Sequence, residues 1–103
     1  MASGILGQSN PAASTLTTVY TVPGGVTASF TVNISNNSTG AVAFDLALAS
    51  TATPTASEYV ERGTIIPGGG VFQGGVYVAQ ATERVVVNCG NASCAVNVYG
   101  FEQ

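Results

Sequence analysis

The strongest constraint on this chain is a two-residue alternation that recurs between turn signals. Val26, Ala28, Phe30, Val32 and Ile34 alternate with Thr27, Ser29, Thr31, Asn33 and Ser35. A period of two puts one set on each face of a strand, so this segment has one buried face and one polar face. Val42, Phe44, Leu46 and Leu48 form a second inward row, opposite Ala43, Asp45, Ala47 and Ala49. Ahead of both, Leu16, Thr18, Tyr20 and Val22 share one parity until Pro23-Gly24-Gly25 ends the run as a type II turn. Asn36-Asn37-Ser38-Thr39-Gly40 and Pro67-Gly68-Gly69-Gly70 are turns of the same chemistry.

Further strands are expected at Glu58–Ile66, interrupted at Gly63 by a bulge, and at Val71–Ala79, weakened by Gly74-Gly75. A final hairpin pairs Glu83–Asn88 with Cys94–Phe101. The segment Ser50–Ser57, with Pro54 inside it, reads as a loop. Seven or eight short strands with regular turns predict an all-β fold, an antiparallel β-sandwich or jelly roll. The expected organisation is an extended N-terminal arm over 1–14 and a single sandwich domain over 15–103. Within the arm, Ile5-Leu6 is an apolar pair suited to plugging into a partner. The run from Tyr20 to Val26 also echoes that from Thr64 to Val71, which predicts equivalent hairpins in two sheets.

Charge excludes several functions. Only 7% of residues are charged, against about 25% in an ordinary soluble domain, so the surface must be carried by Thr, Ser, Asn, Gly and Ala. Sparse charge leaves strand edges poorly guarded, a feature suited to a subunit covered by partners. With Arg62 and Arg84 as its only basic side chains and a net charge of −3, the chain has no patch for nucleic acid. No apolar run is long enough to span a bilayer as a helix, and the N-terminus lacks the pattern of a signal peptide. No membrane association and no export are expected.

Catalytic, cofactor and metal sites are not expected. Without histidine or lysine, the Ser-His-Asp, Cys-His and lysine-based arrangements are ruled out. The carboxylates that remain, Asp45, Glu58, Glu61 and Glu83, read as surface solvation, and two cysteines cannot complete a four-ligand zinc site. Cys89 and Cys94 flank the turn Gly90–Ser93 at a spacing that permits a disulfide. In a reducing cytosol two buried thiols are expected instead. Among the aromatics, Phe30 and Phe44 belong to the core. Tyr59, Tyr77 and Tyr99 are candidate partner or sugar-stacking residues, with core packing the weightier alternative.

The stretch Gly4-Ile5-Leu6-Gly7-Gln8-Ser9-Asn10-Pro11-Ala12-Ala13 resembles small structural proteins of tailed bacteriophages, especially those of cyanobacteria. Leu16–Gly24 and the ending Val98-Tyr99-Gly100-Phe101-Glu102 share the likeness, which spans the chain. It implies a β-rich virion component, of which a capsid cement or decoration subunit fits these residues best. The partners so implied are the major capsid protein and copies of the chain itself, with a trimer matching capsid three-fold positions. The implied location is the capsid surface, after synthesis in the host cytoplasm. A receptor- or glycan-binding module of the tail or baseplate is the alternative.

Overall fold

A computed structural model describes residues 3–103 of the chain, as two antiparallel sheets packed face to face. Nine strands follow in chain order: β1 (Ser3–Ser9), β2 (Thr17–Thr21), β3 (Ala28–Asn36), β4 (Val42–Ala49), β5 (Tyr59–Ile66), β6 (Val71–Gln73), β7 (Tyr77–Ala79), β8 (Arg84–Cys89) and β9 (Cys94–Glu102). One sheet runs β1-β9-β3-β6, with β7 also on β3; the other runs β2-β8-β4-β5. Gly74 and Gly75 lie in the gap between β6 and β7, which pair with successive parts of β3. With β6 and β7 taken as one broken strand, this order is that of a jelly roll.

The alternation in the sequence is the alternation of burial. Ala28, Phe30, Val32 and Ile34 from β3 face Val42, Phe44 and Leu46 from β4 across the interior, with Val85, Val87, Val96 and Val98 between them. Edge-to-face packing of Tyr20 on Phe30, with centroids 5.9 Å apart, and Phe44 against Phe72 at 4.8 Å fill the core. Bulges break this alternation in β2 and β5. One at Val19 turns Leu16 and Thr18 outward while Tyr20 stays inside. Gly63 is the bulge expected in β5, and its amide donates to the Asp45 carboxylate at 2.8 Å.

The expected arm is extended, and residues 3–9 of it form β1, hydrogen-bonded along β9 at the sheet edge. Its sequence shows no alternation because Gly7 stands where an inward side chain would meet Val19 and Tyr20, and a bulge falls between Ile5 and Gly7. Met1 and Ala2 lie outside the described residues. The echoed turns are not hairpins: Pro23-Gly24-Gly25 and Pro67-Gly68-Gly69-Gly70 each carry the chain from the β2-β8-β4-β5 sheet to its partner. Both corners use a glycine in the left-handed region, Gly25 at φ 81° and Gly69 at φ 72°. The repeated sequence therefore marks two equivalent corners of the jelly roll.

Two polar contacts stitch the sheets at their ends. The Tyr20 hydroxyl on β2 donates to the Glu102 carboxylate on β9 at 2.6 Å. Burial, then the hydrogen bond and charge of Glu102, push the Tyr20 hydroxyl well above the usual tyrosine range. Burial, and then Glu61, raise Tyr77 in the same direction. At the other end Cys89 and Cys94 are buried free thiols. Burial first, then Cys94 and Asp45, push the Cys89 thiol up to about 12. All three groups keep their protons in the fold at a pH where the unfolded chain loses them. Their stabilisation is complete below the unfolded-chain pKa values, about 8.5 for cysteine and about 10 for tyrosine, and is lost as pH rises above them. Thermal melts should thus fall steeply between about pH 9 and 11. Tyr20→Phe should be less stable at neutral pH, by about 1.5 kcal/mol for the lost bond to a carboxylate, yet show a shallower alkaline decline. Parallel declines in the two proteins would show that Tyr20 does not contribute to the slope.

Candidate functional site: the uncharged face of one sheet

The charged side chains of the sequence are unevenly distributed over the two sheets. Asp45, Glu61, Arg62 and Arg84 belong to the β2-β8-β4-β5 sheet, Glu83 immediately precedes β8, and Glu58 ends the short 3-10 turn before β5. In the β1-β9-β3-β6/β7 sheet the one charged residue is Glu102, which pairs with buried Ala28 and takes the inward hydrogen bond from Tyr20. Among the described residues, the outer face of that sheet therefore carries no charged side chain.

The register builds this face in rows across the strands. Ser3, Phe101, Ser29 and Val78 lie side by side, followed by Ile5, Tyr99 and Thr31, and then by Gln8, Asn97, Asn33 and Gln73. Ile5 is 63% exposed, Phe101 45%, Val78 63% and neighbouring Val76 74%. Together with Val71, they make five of the eight large apolar side chains that are exposed among the described residues. The polar members of the face bond to one another. Gln8 Nε2 donates to Asn97 Oδ1 at 2.8 Å, and Gln73 Nε2 to the Tyr99 hydroxyl at 2.7 Å. A polar group already partnered within the face costs less to remove from water, so covering it with protein is inexpensive.

The candidate contact residues separate onto different surfaces. Ile5 projects from the uncharged face, whereas Leu6 turns in and packs against the core. Tyr99 belongs to the uncharged face. Tyr77 packs inside against Phe30, with centroids 6.1 Å apart. Tyr59 lies on the outside of the opposite sheet, against buried Ala47, Ala49 and Val86, beneath the Arg62 guanidinium at 4.1 Å. The three tyrosines do not form one stacking platform. Val76, Val78 and Phe101 were not singled out from sequence as contact residues. Their signal was present in part, since 3–9, 28–36, 71–79 and 94–101 are all free of charge. Only the strand order reveals that these four segments share a sheet.

The fold and this face describe a jelly-roll domain with one sheet whose outer face is free of charged side chains among the described residues. No protein-family model matches the sequence, and neither a curated protein nor a solved structure matches it.

Proposed function

We propose that this chain is a non-enzymatic structural subunit of a phage virion, of the capsid cement or decoration kind. The observation that carries the reading is the uncharged outer face of the β1-β9-β3-β6/β7 sheet, which presents Ile5, Val71, Val78 and Phe101 to solvent. Depletion of charge and exposure of aliphatic and aromatic side chains mark the centre of protein interfaces. The phage assignment comes from the resemblance of the N- and C-terminal segments to small virion proteins. A cement subunit binds the assembled shell and not its dissociated parts, so it stabilises the shell by mass action without chemistry of its own.

The test is copy number per virion, by quantitative mass spectrometry against the major capsid protein. About one copy per capsid subunit is expected. A few to a few dozen copies would move the chain to the tail, and absence from virions would overturn the proposal. Deleting residues 1–14 is a poor probe of shell contact, because it also removes β1 from the sheet. Ile5→Ser leaves the strand in place and changes only an exposed side chain.

A further inference from the structure

We infer that the uncharged sheet face packs against the same face of a second copy of this chain, an inference that rests on the reading of the protein as an assembly subunit. Electrostatics favour this occupant. Each copy carries a net charge of −3, so association is opposed wherever acidic groups meet. Pairing through the uncharged face leaves the charged outer surface of each sandwich on the far side, about 10 Å behind the contact in each copy. The intervening separation exceeds the screening length of about 8 Å at physiological salt.

Relief on the face also suits a two-fold contact. The outward side chains of β3, among them Ser29 and Thr31, are small and form a trough. Tyr99 and Phe101 stand along one side of it and Val78 along the other. A two-fold axis lying in the contact plane, parallel to the strands and between β3 and β9, sets the β9 ridge of each copy into the β3 trough of its mate. The area is sufficient. β3 and β9 have nine residues each, about 30 Å at the rise of a strand, and four strands span about 19 Å. Two such faces bury about 1,100 Å² in total, the size of a weak, reversible pair.

The test is sedimentation equilibrium of the purified full-length chain from about 1 to 500 µM, with two charge-insertion variants. Val78→Glu places a carboxylate on the face, and Ile65→Glu places one at a comparably exposed site on the opposite sheet, where Ile65 is 61% exposed. The expected result is a monomer–dimer equilibrium that Val78→Glu weakens at least thirtyfold and Ile65→Glu leaves within about threefold, with unchanged melting temperatures for both. A monomer at the highest concentration, a trimer, or a dimer insensitive to Val78→Glu would overturn the inference. Copy number in virions is independent of these outcomes, so a failed dimer and a failed virion assignment remain distinguishable.

Discussion

Replacing Asn36 with leucine should destabilise the domain by about 3 kcal/mol and lower its melting temperature by about 12–24 °C. Asn36 is the one fully buried polar residue among those described, at the end of β3. Its amide nitrogen reaches the carbonyls of Gly40 at 2.9 Å, Ile66 at 3.0 Å and Pro67 at 3.1 Å, two hydrogens shared among three acceptors. Its amide oxygen accepts from the Ser38 backbone at 3.1 Å and the Ser38 hydroxyl at 2.7 Å. The backbone of the same residue donates to Gly70 and accepts from Gly69. One side chain thus fixes the β3–β4 turn to the corner between β5 and β6. Leucine has nearly the same size but offers no donor to Ile66 and no acceptor to Ser38, while Gly40 and Pro67 keep only the bonds from the Ser38 hydroxyl and the Gly70 amide. Asn36→Asp separates charge from shape. A carboxylate facing three carbonyls resists ionisation, so its pKa in the fold is raised. Its deficit against wild type should shrink as pH falls toward about 4 and level off below that, where the folded and unfolded chains are both protonated. Urea denaturation with an unchanged slope would measure both variants. A deficit under about 1 kcal/mol for leucine would mean that water replaces the amide at these carbonyls.

The strands that read clearly in the sequence are those with one regular buried face. In β3 and β4 every second residue is apolar and no bulge intervenes, so parity alone locates Phe30, Val32, Phe44 and Leu46 in the core. β1 was illegible as a strand because Gly7 stands where an inward apolar residue would announce it and a bulge beside it breaks the period of two. The second buried cluster, Ala47, Ala49 and Val86 beneath Tyr59, was hidden for a different reason. These are outward positions of β4 and β8, covered by a side chain from β5, and periodicity carries no information about what lies over a face. The candidate site has the same character. Each uncharged segment is visible in the sequence, but their union depends on pairings such as Ser3 with Phe101, 98 positions away along the chain. Ile5 was legible as an exposed apolar residue. The same reading failed for Leu6, whose direction is set by a bulge.

Gly100→Ala should be at least as damaging as the loss of Asn36, at about 3 kcal/mol or more. Gly100 lies within β9, opposite Gly4 on one side and Phe30 on the other. A Cβ at this position would collide with the Ser29 carbonyl oxygen, and would lie 2.6 Å from Phe30 Cα and 2.9 Å from the Ser29 carbonyl carbon. All three atoms are backbone of the adjacent strand, so no rotamer change relieves the overlap. β9 must separate from β3, and the shift reaches the Phe30 ring that Tyr20 and Tyr77 pack against. Gly24→Ala is the control. Gly24 has open space around its Cα and no left-handed φ, so alanine there should stay within about 0.5 kcal/mol of wild type or stabilise slightly. Equal effects at the two sites would show that chain entropy and not the close approach of the strands governs Gly100. The displacement also bears on the uncharged face, because Tyr99 and Phe101 flank Gly100 and form its ridge. A Gly100→Ala protein that still folds at low temperature should therefore pair with itself more weakly than wild type. A core glycine would then be shaping a surface it does not touch.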